Sequence, residues 1–201
     1  MSFRRWTYAP SMAASDRVHA DFRRIRSPFE GSLVRLRAIE ESDLERIHDL
    51  FNDPDVLYFL QSVVFPEPTA GTRRWWAESR KRRGDVSFAI ETLVGELVGA
   101  VGLHGAEGPQ RSATLGVWIG KPFWDRGYGT DAVRTACRFG LREMNLRRVG
   151  LHVHETNPRG IRSYQKVGFR EEGRLRQSHF TDGRPVDTIV MGLLASELIE
   201  E

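Results

Sequence analysis

A strand pattern that passes through two glycines into an amphipathic helix constrains the fold of this chain more than any other feature. Residues 112–120, SATLGVWIG, are typical of a strand, and residues 123–129, FWDRGYG, form a turn. Residues 130–144 then place their apolar side chains on one broad arc of a helix, at about 100° per residue. A strand joined so closely to a long helix predicts a domain of the α/β class.

Further strand and helix patterns follow one another from residue 33 onward. Strands are expected at 33–39, 86–92, 97–105, 147–155, 169–176 and 185–194, and helices after Ser42, at 55–60, from Thr69 and at 158–168. We therefore predict one mixed α/β domain over residues 29–201. Residues 1–28 lack a steady period and predict a flexible basic arm.

Positive charge is concentrated in two parts of a chain whose formal net charge is only +3. Residues 1–28 contain six Arg and two Asp, and residues 121–170 contain eleven Lys/Arg against four Asp/Glu. The remainder is acidic, so the segment 121–170 suits an anionic ligand. The alternative is that these charges form solvated faces.

The single cysteine limits the kinds of chemistry open to the chain. Cys137 excludes an internal disulfide framework, and its place in the apolar arc of 130–144 predicts a core residue. No apolar run is long enough to span a membrane, and the first residues lack the apolar region of a secretion signal. We therefore expect a cytoplasmic protein without a membrane partner.

The turn at 123–129 has the features of an anion site. The first N–H groups of a helix lack partners, and glycines such as Gly127 and Gly129 let the backbone approach phosphate oxygens. Arg126 can add a charge-assisted hydrogen bond. The alternative is a tight turn whose glycines serve geometry alone. Because neither GxxxxGK[ST] nor GxGxxG fits, a nucleoside triphosphatase or a dinucleotide enzyme is disfavoured, and coenzyme A becomes the natural candidate.

Two motifs together resemble the GNAT acetyltransferase family. Residues 116–132, GVWIGKPFWDRGYGTDA, contain its R/Q-x-x-G-x-G/A loop at 124–129, and residues 157–173, NPRGIRSYQKVGFREEG, match its next strand–helix unit. The opening VRLRAIEESDLERIHDLFNDPDV is similar to the subgroup of ribosomal-protein N-terminal and spermidine acetyltransferases. The resemblance implies a mixed, mostly antiparallel sheet flanked by helices. It also implies direct transfer of an acetyl group from acetyl-CoA, as co-substrate, to a primary amine.

The same resemblance assigns roles to individual residues. It implies that the strand backbone bonds the pantetheine arm, that the loop binds the pyrophosphate and that an asparagine contacts the cofactor near the thioester. The residues concerned are Trp118, Ile119, Arg126, Gly127, Tyr128, Gly129, Thr130 and Asn157. Tyr164 stands where many members have the general acid that protonates the CoA thiolate, and a phenol suits that task. The alternative for Tyr164 is a half-buried core residue.

Two positions depart from the family pattern. Trp124 replaces the usual Gln or Arg, and Thr114 replaces the Glu that many relatives use as a base. A threonine hydroxyl cannot take a proton from an ammonium group, so the base must lie elsewhere, be a water chain, or be unnecessary for an acceptor with a low pKa. The candidates are His154 and Glu155, with His152 and His104 as further ones; each is also explained as a polar residue on a solvated strand face. A metal site built from these histidines is not expected.

The acceptor is less constrained than the cofactor. Seven carboxylates in residues 40–55 would steer a cationic amine towards the first helices, which border the acceptor pocket in this family. A protein N-terminus is the other acceptor class, and dimers are frequent in the family. Because the usual Glu is missing, a second hypothesis is a non-catalytic sensor that binds acyl-CoA. The basic arm suggests a third hypothesis, a module that binds nucleic acid or the ribosome.

Overall fold

The computed structural model describes residues 27–60 and 65–200, so the expected arm at 1–28 lies almost entirely outside the described residues. The strands are β1 Val34–Arg37, β2 Val86–Thr92, β3 Leu97–His104, β4 Ser112–Ile119, β5 Arg148–His154, β6 Arg170–Thr181 and β7 Arg184–Leu194. The helices are α1 Leu44–Phe51, α2 Pro54–Tyr58, α3 Thr69–Ser79, α4 Tyr128–Arg142 and α5 Pro158–Val167. This is the mixed α/β order that the sequence predicts.

The described strands form one sheet of seven, in the order β1-β2-β3-β4-β5-β7-β6. Every neighbouring pair is antiparallel except β4 and β5. Those two run parallel and pair only over Ser112–Thr114 with Arg148–Gly150. Since a parallel connection needs a long crossover, α4 occupies the link between them. Beyond Thr114 the register of β4 with β5 ends, and this is where the sheet opens.

Helices cover both faces of the sheet around β4. Leu103 of β3 packs against Gly140 of α4 and pairs in register with Leu115. Trp118 points to the opposite face, because side chains alternate along a strand, and its ring packs edge-on against Phe51 of α1 at 5.5 Å. The part of β4 beside the opening in the sheet is therefore fixed from both sides.

Helix α4 begins two residues earlier than its sequence pattern predicts. Gly127 takes a left-handed conformation, with φ of 83°, just before the first helical residue. The apolar arc is buried as predicted and includes Cys137, whose burial raises its thiol pKa. Arg134 lies outside that apolar arc, yet it is only 8% exposed, and its guanidinium donates to the carbonyl of Ile199 in the C-terminal segment.

Asp131 attaches the first turn of α4 to the chain that precedes β1. Its buried carboxylate accepts hydrogen bonds from the backbone N–H groups of Ser32, Leu33 and Val34, at 3.1, 2.7 and 3.0 Å. Three donors on one carboxylate fix the start of α4 relative to β1.

Strand β6 extends five residues beyond its predicted end at 176. Its register with β7 is irregular between Leu175 and His179, which is where the polar residues RQSH interrupt the strand pattern. Strand pairing to β7 on the far side of this bulge extends the hairpin to Thr181. Within the described ranges, no helix has the length and apolar composition needed to cross a membrane.

Candidate active site

A cavity of about 470 Å³ lies where β4 and β5 diverge. Its lining comes from β4, the turn after it, the first turn of α4, the end of β5, helix α5 and the residues around the end of α2. The predicted site residues that line it are Trp118, Ile119, Gly127, Tyr128, Gly129, Thr130, Asn157 and Tyr164. Two motifs that lie some 30 residues apart in sequence are therefore brought together around one cavity.

The glycine turn presents the N-terminus of α4 to this cavity. Gly127, Gly129 and Thr130 line it, and the first N–H groups of the helix have no intrahelical partners. The hydroxyls of Thr130 and Ser163 lie 2.8 Å apart, which joins the start of α4 to α5. Arg126 does not line the cavity: it is exposed, with its guanidinium 5.8 Å from the Phe123 ring centre.

Helix α5 supplies cations to the cavity that sequence reasoning missed. Arg159, Arg162 and Lys166 line it, and Asp125 is the single carboxylate residue among the described lining residues. The signal was present in the sequence, since the spacing i, i+3, i+7 places all three cations on one face of the predicted helix at 158–168. The arrangement suits an anion with several phosphates.

Trp124 has a structural role at its unusual motif position. Its indole N–H donates to the carbonyl of Ile119 at 2.7 Å, which ties the turn to the end of β4. Its ring lies beneath the guanidinium of Arg159, 3.5 Å from the ring centre, and the ring of Phe59 lies 5.5 Å from the same guanidinium. Burial lowers the pKa of Arg159, and the nearby charge of Asp125 partly opposes this. Trp124 thus positions the guanidinium of Arg159, whereas the usual Gln or Arg would itself supply a polar group.

Asn157 caps the N-terminus of α5 with its side chain. Its Oδ1 accepts from the N–H of Gly160 at 2.9 Å, and its own N–H donates to the carbonyl of His154 at 2.9 Å. A Cβ on residue 160 would lie 2.9 Å from the Asn157 amide. Glycine at 160 therefore leaves room for the asparagine side chain at the edge of the cavity.

Tyr164 is a half-buried residue of α5 that lines the cavity. Its ring packs against Phe169 at 5.9 Å between centres. Burial raises the pKa of the phenol to about 12, so the group is protonated and can donate at neutral pH. This is the protonation state that a general acid requires.

The structure separates the four candidate bases. His152 and Thr114 line the cavity, and His154, Glu155 and His104 do not. Glu155 is exposed and bonds the guanidinium of Arg174 at 2.8 Å, and His104 lies 3.3 Å from Asp85.

His154 lies in a different environment from His152. It is 2% exposed, and its ring stacks on His179 at 3.9 Å. Burial lowers its pKa, and the neighbouring His179 adds to that effect. Neither ring nitrogen of His154 has a hydrogen-bond partner among the described residues.

Most carboxylates of the acidic run 40–55 already have partners. Glu41 pairs with Arg73 and Asp43 with Arg37, both at 2.7 Å, and Asp55 pairs with Lys121. Asp53 caps α2, and Glu40 and Asp43 form a reciprocal cap on the short turn before α1. None of the described carboxylates of this run lines the cavity, to which the α2 region contributes Val56, Phe59 and Leu60.

Comparisons with known proteins agree with this architecture. A family model for the GNAT acetyltransferase domain matches residues 34–170. The chain is 29% identical over 171 residues to the spermidine N(1)-acetyltransferase of Vibrio cholerae serotype O1, an alignment that covers 84% of this chain and 96% of that protein. It is 31% identical over 170 residues to YdaF of Bacillus subtilis, provisionally named a ribosomal N-acetyltransferase, with 82% of this chain and 92% of that protein covered.

Solved structures give the same result. The crystal structure of spermidine N-acetyltransferase from Vibrio cholerae in complex with CoA and spermine superposes with a TM-score of 0.76 at 27% identity. The match covers 82% of this chain and 96% of that one. The predictions of fold class, of enzyme class and of acetyl-CoA as co-substrate are thereby confirmed. This chain belongs to the GNAT family, and it is an N-acetyltransferase that moves an acetyl group from acetyl-CoA to an amine.

Proposed function

We propose that this enzyme acetylates the free N-terminus of a protein or peptide, with Tyr164 as general acid and His152 as the group that accepts the amine proton. The observation that carries the choice of acceptor is the lining of the cavity. Its described part has one carboxylate residue, Asp125, and that residue belongs to the glycine turn.

A polyamine carries several ammonium groups, and each of them loses hydration when it is bound. Burying a charge is costly unless it is paired, so a polyamine site needs several carboxylates. The α2 side of the cavity offers the apolar side chains of Val56, Phe59 and Leu60 instead. An acceptor with one amine next to an apolar side chain fits this wall better.

The opposite wall suits the phosphates of acetyl-CoA. Arg159, Arg162 and Lys166 supply positive charge, and the N-terminus of α4 supplies unpartnered N–H groups. The backbone of β4 at Trp118 and Ile119 lies at the opening in the sheet, beyond the last residue that pairs with β5. An extended pantetheine arm can hydrogen-bond there as an added strand would.

In the proposed reaction the neutral amine attacks the thioester carbonyl carbon. The carbon–sulfur bond breaks, and the CoA sulfur takes a proton from the Tyr164 phenol, which later recovers one from solvent. The ammonium formed in the attack loses its extra proton to His152. Thr114 pairs in register with Gly150, so His152 lies two residues along on the same face of the sheet. His152 thus stands on the face where many relatives present the glutamate.

Release of the CoA thiol across a panel of acceptors tests the acceptor and the acid together. The panel holds peptides that begin with Ala, Ser or Met, spermidine, spermine and an aminoglycoside. We expect peptide turnover, and we expect Tyr164→Phe to lower kcat by roughly 100-fold with little change in the KM for acetyl-CoA. Tyr58→Phe, which removes a phenol outside the cavity lining, is the matched control.

Each alternative has its own outcome in this assay. Turnover of spermidine in preference to every peptide would reject the N-terminal acceptor, and a Tyr164→Phe rate equal to that of the wild type would reject the acid. Absence of thiol release with any amine, beside measurable acetyl-CoA binding, would indicate a sensor.

The same assay at saturating peptide tests His152. A pH profile of kcat/KM does not isolate this residue, because the N-terminal amine must itself be neutral to attack. His152→Gln should lower kcat by roughly 10-fold or more, whereas His104→Gln should leave kcat within about 2-fold. An unchanged kcat in His152→Gln would assign the proton to another group.

A further inference from the structure

A strongly basic surface lies at the C-terminal end of α3, away from the active-site cavity. We define the basic surface as the exposed residues Arg80, Lys81, Arg82 and Arg83 together with Trp75. The surrounding segment 73–85, RRWWAESRKRRGD, contains six Arg/Lys and two Asp/Glu. Neither acetyl transfer nor the binding of acetyl-CoA makes use of it.

The four consecutive cations have no carboxylate partner among the described residues. Arg80 stacks on Trp76, 5.1 Å from the ring centre, and none of the four forms an ion pair with another residue in the part of the chain that the structure describes. The nearby Asp85 is engaged with the N–H of Gly105 at 2.8 Å and with His104, and Glu107 packs against Gly84. A helix C-terminus favours a cation in its last turn, which explains Arg80 but not a run of four.

The two tryptophans of α3 differ in their surroundings. Trp76 is held in place, since its indole N–H donates to the carbonyl of Ile39 at 3.1 Å. Trp75 is 41% exposed and precedes Arg80 by five residues, which is about 7.5 Å along the helix axis. A solvent-facing ring on the helix that leads into a run of cations is a combination with which proteins bind single-stranded nucleic acid, because bases stack on the ring and phosphates meet the charges.

The basic surface lies on the segment that precedes β2. Strand β2 begins at Val86, three residues after Arg83, and lies two strands from Thr114, which lines the cavity. Adjacent strands are about 4.8 Å apart, so Val86 lies roughly 10 Å across the sheet from that wall. Three residues span at most about 10 Å more, so a macromolecule bound at Arg83 would lie within about 20 Å of the cavity wall.

We propose that the basic surface binds single-stranded RNA. A lipid surface is disfavoured because α3 presents one exposed large ring there and no continuous apolar face. An acidic peptide would pair with the cations but would leave the ring of Trp75 unused. The proposal is independent of the acceptor, because RNA binding is measured without acetyl-CoA.

Fluorescence anisotropy of a labelled 16-nucleotide poly(U) RNA with the full chain tests the proposal. The triple variant Lys81→Gln, Arg82→Gln, Arg83→Gln should weaken binding at least 10-fold at about 50 mM KCl. It should also reduce the salt slope of log K by about 2, since each phosphate contact contributes about 0.7 for single strands. Trp75→Ala should weaken binding by roughly 10-fold with the slope unchanged, because stacking releases no counterions.

Matched variants distinguish the effect of the basic surface on RNA affinity from the effects of net charge and of the N-terminal arginines. Arg147→Gln, Arg176→Gln, Arg184→Gln removes three exposed charges elsewhere and should leave the affinity within about 2-fold. Arg23→Gln, Arg24→Gln, Arg26→Gln reports what residues 1–26 contribute. An equal loss in the first of these variants, or a loss confined to the second, would overturn the proposal.

Two competitors test the identity of the partner. Polyglutamate and phosphatidylserine vesicles, added at the same concentration of negative charge, should displace the labelled RNA poorly. Displacement as effective as that by unlabelled RNA would show a general anion site, and the proposal would fail. Peptide turnover by the triple variant should equal that of the wild type, which confirms that the variant is folded.

Discussion

The acidic run at 40–55 and the cationic face of α5 are both amphipathic charged stretches in the sequence, yet the structure uses them in opposite ways. Most carboxylates of the acidic run are occupied by Arg37, Arg73, Lys121 or helix caps. Arg159, Arg162 and Lys166 line the cavity, where they can meet a ligand. Charge density alone therefore does not identify a binding surface; the partners of each charged group do.

The ion pairs of the acidic run extend into the sheet through Arg37. Its guanidinium bonds Asp43 and also Glu91, which is 6% exposed on β2. The hydrogen bonds to Arg37 lower the pKa of Asp43. Burial alone would raise the pKa of Glu91, but its hydrogen bonds to Arg37 and Arg35 outweigh this and lower it. Arg37 thus joins β1, β2 and the turn before α1.

Among the substitutions that test this comparison, Arg37→Met should cause the largest loss of stability. Loss of the guanidinium leaves the buried Glu91 with one partner and should reduce the free energy of unfolding by about 3 kcal/mol. The KM for acetyl-CoA should stay unchanged, because Arg37 does not line the cavity. Urea denaturation and steady-state kinetics measure the two quantities, and a large rise in KM with normal stability would contradict a structural role.

The same variant should change how stability depends on pH. The folded-state pKa values of Asp43 and Glu91 are lowered, so their contribution is present above the unfolded values, near 3.8 and 4.5, and is lost as pH falls. The wild type should lose stability as the pH falls below about 5. Arg37→Met should lose less as the pH falls; a parallel loss would mean that these two carboxyls are not responsible.

Removal of positive charge from α5 should weaken the binding of acetyl-CoA and not the stability of the fold. Arg162→Gln with Lys166→Gln should raise the KM for acetyl-CoA by roughly 10-fold or more, since one charge-assisted hydrogen bond contributes about 1.5–3 kcal/mol. Stability should change by less than about 0.5 kcal/mol, as for exposed residues in general. Arg176→Gln with Arg184→Gln removes the same charge outside the cavity and should leave KM unchanged. Equal effects in both pairs would mean that the face of α5 has no specific role.

The smallest effect should come from the two carboxylates of α1 that have no partner among the described residues. Glu45 and Asp49 are exposed and lie one helical turn apart. Glu45→Gln with Asp49→Asn should change kcat/KM for a peptide N-terminus by less than about 2-fold at physiological salt, where exposed charges are screened. A fall of more than about 5-fold that vanishes at high salt would instead show that the acidic run steers cationic acceptors.

Local sequence patterns predicted the strands and helices of the fold. The features that these patterns missed are determined by tertiary contacts. Alternation and helical periodicity located each strand and helix, because each buries one face. The start of α4 was misplaced because Gly127 and the three N–H donors to Asp131 fix it, and those donors are 97–99 residues away. Arg134 is buried by a C-terminal segment that has no strong pattern of its own.

The same contrast between local patterns and tertiary contacts holds for the active site. Gly127, Gly129, Asn157 and Tyr164 were found because each belongs to a contiguous motif, and these four line the cavity, whereas the neighbouring Arg126 does not. The stacking of Arg159 on Trp124 was missed, since it joins two separate segments. His152 and His154 are two residues apart and therefore share one face of β5. The strand pattern does not show that His179 from β6 stacks on His154, whereas His152 lines the cavity.

The short pairing of β4 with β5 divides the sheet into two parts. Three register pairs, Ser112–Thr114 with Arg148–Gly150, join the four strands β1 to β4 to the three strands β5 to β7. A substrate arm that hydrogen-bonds to the edge of β4 beyond Thr114 would therefore extend the connection between the two parts past their last register pair.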